Sequence, residues 1–582
     1  MKVQRLRTYI SRHRRAYLTG FALSIASTGV ALVNPWVLRQ AVDSIRAGAP
    51  AVRLLTLAAV YVCVALVGAV IRYFWRTRIL GAARRIEYEI RNDFFAHLQR
   101  LHQGFFHHTR TGDLMARAIN DLNAVSRMVG AGIMHSFNTV IMLLAASTLM
   151  LAIDPPLALA VLGILPLVTI VFIALGRRIH HQFEQVQEQF SRISARAQEN
   201  FSGVRVVKAF AQETPEIDAF ARINREYVRR ALRLARTSGA LWPAMTLILG
   251  AASAVVLWQG GVAVVAGRIT LGQLVQFFGY LLMLSWPMIA LGWTTNLFQQ
   301  GMASMGRLDE ILNRQPLITD PPAPVPARRL RGAIEFRRVT FAYTDVPVLR
   351  DVSLTIPAGR TVAIVGPTGS GKTTLVSLIP RLLDPTQGAV LIDGVDAREY
   401  SLATLRGGIG VVPQEPFLFS DTLAENLAWG VERGDGQRVR EAAEIAQLAR
   451  DVRDFPRGYE TMVGERGVTL SGGQKQRATI ARALARDPAI LILDDALSSV
   501  DTRTEEEILR GLRRFMATRT SLIISHRIST VRHADLIVVL DGGRLVERGT
   551  HDELLAAGGL YADLYQKQLL RDALEADESV SP

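Results

Sequence analysis

The stretch TVAIVGPTGSGKTTLVSLI, residues 361–379, decides how the second half of the chain folds. It begins as a short apolar run, crosses a glycine-rich turn and continues in a helical pattern, which predicts the strand–turn–helix start of an α/β domain. Gly366, Gly371, Lys372 and Thr373 have the spacing of a phosphate-binding loop. Glycines let successive backbone amides wrap phosphates at a helix start, the lysine reaches the terminal phosphates, and the threonine hydroxyl suits magnesium. A glycine-rich turn can occur without a ligand, but here the strand and the helix stand on either side in the required order.

A second stretch, LILDDALSSVD (491–501), ends another apolar strand in two adjacent carboxylates, Asp494 and Asp495. In phosphate-loop ATPases the acid at that strand end holds magnesium. The neighbouring acid then faces the terminal phosphate, where a general base must come within about 2.6–3.2 Å of the attacking water. Asp494 is therefore expected to be the metal acid and Asp495 the base.

Working outward, 582 residues exceed what one compact core holds. Hydrophobic residues are 49% of the chain and charged residues 20%, the mean hydropathy is +0.20, and the long uncharged runs fall in the first half. That profile predicts a membrane domain followed by a soluble one. Crossing about 30 Å of hydrocarbon takes about 20 apolar helical residues, and six stretches qualify, near 16–38, 52–76, 130–152, 156–176, 240–266 and 271–297. The basic N-terminal stretch runs directly into the first span without a small-residue cleavage site, so no signal peptide is expected. Asp154, Pro155 and Pro156 join the third and fourth spans, and GRIT joins the fifth and sixth, whereas the second-to-third and fourth-to-fifth connections are long, charged and helix-prone. They read as helical extensions that carry the chain into the cytoplasm and back.

The formal charge is +15, with arginines clustered at the ends of apolar stretches, as in RLRTYISRHRR and RRIEYEIR. Anionic lipid on the inner membrane face explains that placement better than nucleic acid does, and puts the N-terminus and both long connections in the cytoplasm. Residues 3–15 fit a short helix lying in the interface. The single cysteine, Cys63, allows no disulfide and no cysteine metal site, and reads as a small apolar packing residue. Polar residues within the spans are Asn34, Arg72, Asn138, Gln259 and Gln276. Arg72 is placed to snorkel to the interface, and Asn34 with Pro35 marks a kink. No dense intramembrane relay of acids and lysines suits a proton-driven carrier, so energy is expected from the other half. The proline-rich segment 313–332 reads as a linker between a membrane domain, 1–312, and a nucleotide-binding domain, 333–582.

Five further stretches carry a family resemblance: VTLSGGQKQR (468–477), VVPQEPFLF (411–419), ALSSVD (496–501), SHR (525–527) and FAYTD (341–345). They stand in the order and spacing of an ATP-binding cassette nucleotide-binding domain. With six spans fused ahead, the chain resembles a half-transporter of the bacterial ABC exporter family, the multidrug, lipid and peptide exporter type. The resemblance covers almost the whole chain. It implies six transmembrane helices with cytoplasmic extensions, followed by an α/β cassette that uses ATP and magnesium to drive export across the cytoplasmic membrane by alternating access. Tyr343 looks like the adenine-stacking aromatic, and Gly366, Gly369, Ser370, Gly371, Lys372, Thr373 and Thr374 like the phosphate cradle. Gln414 looks like the residue that senses magnesium and touches the membrane domain, and His526 like the switch histidine. Ser471, Gly472, Gly473 and Gln474 are similar to the signature that meets ATP held by the opposite subunit, and Asp501 to the acid at the dimer seam. TMVGERG (461–467), FFHHTRTGDLMARAINDL (105–122) and SGVRVVKAFAQE (202–213) are similar to the segments that couple the two domains. His107 and His108 have no acid or cysteine beside them and read as surface histidines rather than metal ligands.

One residue departs from the family's pattern. The residue after the magnesium acid is usually glutamate and here is Asp495; the missing methylene withdraws the carboxylate by about 1.5 Å, one carbon–carbon bond. That is enough to take a base out of reach of its water unless the backbone compensates. The resemblance then implies the slow site of an asymmetric pair, with a second, different half-transporter as partner; a homodimer with two slow sites is the alternative. A DNA-directed ATPase shares the phosphate loop and signature but not six spans. A membrane ATP sensor would lack cargo-stimulated turnover, and importers usually keep their membrane and ATPase parts on separate chains. The mostly apolar spans favour amphipathic or lipid-like cargo.

Overall fold

The structure is a computed structural model that describes residues 2–326, 328–431, 435–464, 470–498, 500 and 502–578. It divides into two compact units, Met1–Gln99 with Thr111–Arg314, and Arg100–Arg110 with Gln315–Pro582.

Among the described residues the first unit holds six helices long and apolar enough to cross a membrane: Arg14–Arg46, Ala51–Arg100, Thr111–Ile153, Pro155–Ser202, Glu213–Val265 and Leu271–Leu312. Each covers one of the stretches found in the sequence, and the four that flank the long connections, of 50, 43, 48 and 53 residues, run well beyond a membrane's thickness as the expected extensions. Sequence punctuation sets their ends. The Asp154 carboxylate accepts from the Leu157 amide (3.0 Å) with Pro155 in the first turn, an N-cap that suits a helix beginning with proline. Thr270 and Gln273 close a capping box at the sixth helix. The core lies among the third to sixth helices, where Met150, Leu157, Val161, Leu165, Val256, Phe277 and Leu284 are buried.

Polar groups in this unit find partners across helices. Thr28 donates to Asn138 (3.2 Å), and the buried Gln276 donates to the Tyr280 hydroxyl (3.0 Å), which donates to the Leu32 carbonyl (3.3 Å). The first helix runs continuously through Pro35, whose ring nests where a Cβ on Gly279 would come within 2.9 Å. One expectation needs correction: Cys63 is exposed on the second helix rather than packed inside the unit. The N-terminal helix, Lys2–Arg12, buries Leu6 and Tyr9 against protein, with the Tyr9 hydroxyl donating to Asp93 (2.5 Å).

Among the described residues the second unit contains ten strands: β1 (Ile334–Ala342), β2 (Pro347–Ile356), β3 (Thr361–Val365), β4 (Gln387–Ile392), β5 (Val395–Asp396), β6 (Ile409–Val412), β7 (Ile490–Asp494), β8 (Thr520–Ile524), β9 (Leu536–Asp541) and β10 (Arg544–Gly549). Two sheets result, an antiparallel one ordered β2-β1-β4-β5 and a six-stranded one ordered β10-β9-β3-β8-β7-β6. In the larger sheet β3, β8, β7 and β6 pair in parallel. β7 and β8 are buried along their whole length, which is why they read in the sequence as continuous rather than alternating apolar runs. With β9, which also pairs parallel to β3, five parallel neighbours bring five carboxyl ends to one edge, the place where open α/β sheets bind ligands.

Candidate nucleotide site

The segments leaving β3, β6, β7 and β8 meet around a cavity of about 230 Å³. β3 delivers Gly369, Gly371, Lys372, Thr373 and Thr374; β6 delivers Gln414; β7 delivers Asp494 and Asp495; β8 delivers Ile524 and His526. Most of the site residues expected from the sequence are thus brought together by sheet topology alone. Val348 and Thr368 also line the cavity. Thr368 sits inside the glycine loop and could have been chosen from it, whereas Val348 comes from β2 with no local signal.

The loop's backbone explains its glycines. Gly366 has φ 147° and Gly371 φ 101°; a Cβ at Gly366 would lie 2.0 Å from the Leu540 carbonyl oxygen, and one at Gly371 would lie 2.8 Å from Leu349 Cδ2. Only glycine fits both the angle and the space. Lys372 is buried, and its Nζ donates to the carbonyls of Gly366 (2.9 Å) and Pro367 (2.8 Å). Burial pushes its pKa down, opposed by the negative charges of Asp494 and Asp495. Burial likewise pushes the Asp494 carboxyl up; a hydrogen bond from Thr373 opposes that and the neighbouring Asp495 charge adds to it. Charges are therefore held close together out of water at the strand ends.

The residues present fit a magnesium nucleotide. Ser370 is buried with an Oγ that has no partner, in a loop whose glycines keep the approach open. Thr373 and Asp494 supply the oxygen donors a hard cation prefers. Tyr343 is about half exposed at 45%; its hydroxyl shares a hydrogen bond with Thr374 Oγ1 (3.2 Å), and Phe341 stands edge-on to its ring (4.8 Å between centroids). His107, expected as a bare surface residue, is exposed but also edge-on to Tyr343 at 6.5 Å. Its short helix, Gln103–His108, belongs to the second unit.

Asp495 itself sits at φ 47°, a left-handed conformation that aspartate tolerates better than most residues. Its amide donates to the Ile524 carbonyl (2.8 Å), and its own carbonyl accepts from the Ser498 amide (3.3 Å).

The turn at 471–474 is elsewhere: none of its residues lines the cavity. Ser471 caps the helix Gly472–Ala485 through a capping box, with Gln474 Oε1 accepting from the Ser471 amide (3.0 Å). Gln474 Nε2 donates to Asp451 (3.0 Å), which also pairs with Arg477 (2.9 Å). Ser471 and Gly472 are exposed. Asp451 was not legible as a member of this turn, because it arrives from a separate helix, Ala449–Asp454. Asp501 and residues 465–469 lie outside the described residues.

Comparison with known proteins decides the family. The model of the ABC transporter transmembrane region matches residues 17–288, and that of the ABC transporter matches 349–498. The chain belongs to the ABC transporter family. It is 38% identical to the probable multidrug resistance ABC transporter ATP-binding/permease protein YheI of Bacillus subtilis, over 96% of each chain. It is also 38% identical to the ATP-dependent lipid A-core flippase of Syntrophus aciditrophicus, over 86% of this chain and 83% of the other. A solved bacterial Atm1-family ABC exporter with ATP bound superposes with a TM-score of 0.79 at 31% identity, covering 95% of this chain and 98% of that one. In this transporter the membrane region and the ATP-binding cassette are fused on one chain, and the six helices and two sheets are the fold of that exporter.

Proposed function

We propose that the chain is one subunit of a dimeric ATP-driven exporter in the cytoplasmic membrane, paired with a different half-transporter, and that its own nucleotide site hydrolyses slowly. The observation that carries the dimer is the position of the signature turn: Ser471 and Gly472 are exposed and do not face the chain's own cavity. A phosphate meets both elements only if a second cassette closes on the first. Residues 1–312 are assigned to the membrane domain, 313–332 to the linker and 333–582 to the cassette.

In this reading Lys372, Ser370 and the loop amides hold the phosphates, Thr373, Asp494 and Gln414 hold magnesium, and Tyr343 with Thr374 positions the base. Bound ATP supplies a phosphoryl group open to attack by water. Asp495 and His526 orient that water. Ser471, Gly472 and Gly473 offer their polar groups to the partner's nucleotide, while Gln474 keeps the turn in shape and Asp501 lies at the seam. Head-to-tail closure of two cassettes then draws the cytoplasmic ends of the membrane helices together and turns the cargo cavity outward. The tip around Val204–Ala209 leaves Phe201, Val206 and Phe210 exposed, and the cassette leaves Phe417, Phe419 and Trp429 exposed; a partner's tip covering that aromatic patch would transmit the closure. Amphipathic or lipid-like cargo is supported by the apolar spans and by the relatives' multidrug and lipid activities.

Slow hydrolysis follows from Asp495. Its carboxylate is about 1.5 Å short of a glutamate's reach, and its backbone is engaged by hydrogen bonds with Ile524 and Ser498. Turnover by the purified chain alone is expected to be low and to rise on Asp495→Glu. Robust turnover of the unpartnered chain that Asp495→Asn then weakens would overturn the slow site and favour a homodimer.

A further inference from the structure

We propose that Glu505 and Arg527 form a positioning clamp that holds the two arms of the nucleotide site, Asp495 and His526, in one arrangement and ties both to the signature helix. The clamp rests on the reading of the cavity as an ATP site and adds residues to it that neither the loop spacing nor the signature points to.

Glu505 lies in the first turn of the helix Thr502–Met516 and is only 3% exposed. Both its oxygens are taken. One is paired with the Arg527 guanidinium, and the other accepts from the Thr530 hydroxyl at 2.8 Å. A carboxylate so far from water is held in one place by partners of this strength. Arg527 directly follows His526, and its amide donates to Ser525 Oγ at 3.0 Å, so the residues on both sides of the histidine are pinned. A second nitrogen of the same guanidinium donates to the Ser498 carbonyl at 3.4 Å.

Ser498 is the junction. Its amide donates to the Asp495 carbonyl (3.3 Å), and its hydroxyl accepts from Gln476 Nε2 (2.9 Å). Gln476 is itself buried on the helix that begins after Ser471. One planar guanidinium thus joins the histidine segment, the turn after Asp495 and, through Ser498, the signature helix. A lysine could hold the charge but not the fork. Because the signature is offered to a partner's nucleotide, the same contacts give occupancy of that site a short path to His526.

The test uses the full chain, purified in the assembly it forms, with ATP turnover, fluorescent-ATP affinity and thermal unfolding measured together. Arg527→Met and Glu505→Gln are expected to lower kcat about tenfold, the scale of a small misplacement of reacting groups, with ATP affinity unchanged. Arg527→Lys should recover part of the loss. Thr530→Val removes one hydroxyl from the carboxylate and should lower kcat with the melting temperature near that of the parent. Full kcat in Arg527→Met, or a loss of kcat, affinity and melting temperature in parallel across all variants including Thr530→Val, overturns the clamp. Lys372→Ala, with the partner's site inactivated, serves as the control for the ATP site: if it still binds fluorescent ATP, the site reading fails, and if it loses binding while Arg527→Met keeps full kcat, only the clamp fails.

Discussion

Two glycine-rich turns open helices in the cassette, and they are built in opposite ways. At the phosphate loop, Gly371 precedes Lys372 in a left-handed conformation and no side chain caps the helix. The buried ammonium donates to loop carbonyls, and Ser370 Oγ has no partner. At the signature, Ser471 and Gln474 cap the helix reciprocally and Asp451 holds Gln474 from outside. The first turn leaves polar groups unanswered inside its own chain, as a site awaiting an anion does. The second is capped and braced within its own chain, the preorganisation that favours binding a partner.

The comparison breaks most easily at Lys372. Lys372→Ala leaves the glycines and the fold in place but removes the loop's buried cation, and should lower ATP turnover at this site by about a hundredfold or more, the scale for losing one preorganised donor to developing charge. Activity within a few-fold of the parent in a steady-state assay, with the partner's site inactivated, would mean that the unanswered groups of the loop are incidental.

Gly371→Ala tests the backbone side of the same turn. The residue would carry φ 101° with its Cβ 2.8 Å from Leu349 Cδ2, so a loss of about 1–3 kcal/mol is expected, read as a lower melting temperature together with weaker ATP binding. An alanine tolerated without change in either would show that the loop is slack.

At the signature the expected effects are smaller and of a different kind. Ser471→Ala removes the cap and should cost about 1 kcal/mol of local stability, whereas Ser471→Gly should cost only a few tenths. Amide exchange in the helix Gly472–Ala485 measures both. If the partner's phosphate relies on the hydroxyl, the two variants lower turnover alike although only one loosens the helix.

These differences also say what the sequence could and could not reveal. Gly366, Gly371 and Lys372 are legible because the contacts they need lie within a few residues of chain, and Asp494 because a buried parallel strand announces itself as an apolar run. The six membrane helices are legible for the same reason: length and composition suffice. Asp451, Val348 and Glu505 are silent because their roles exist only after distant segments meet, and one carboxylate or valine looks like another until then; Arg527 lies in the SHR stretch, but its partners do not show. The φ of Asp495 is silent too. The sequence shows a shorter acid, but only the structure shows that its backbone is held on both sides. Cys63 reads differently in the fold because span composition does not say which face of a helix meets a neighbour.

The finest test of the comparison is Gln474→Glu. At the third position of an ordinary helix, glutamate completes a capping box as well as glutamine does, and its charge favours the helix start. The signature differs because Gln474 also donates through Nε2 to Asp451 at 3.0 Å. A glutamate there loses that donor and sets two carboxylates side by side, with Arg477 already engaged by Asp451. The sign should therefore invert: Gln474→Glu is expected to be less stable than Gln474→Ala by about 0.5 kcal/mol, the scale of a like-charge pair at close range. Adding Asp451→Asn should restore the usual order. A double-mutant cycle in thermal unfolding reads the coupling directly, and a cycle with none would mean that Asp451 does not shape the turn the signature presents.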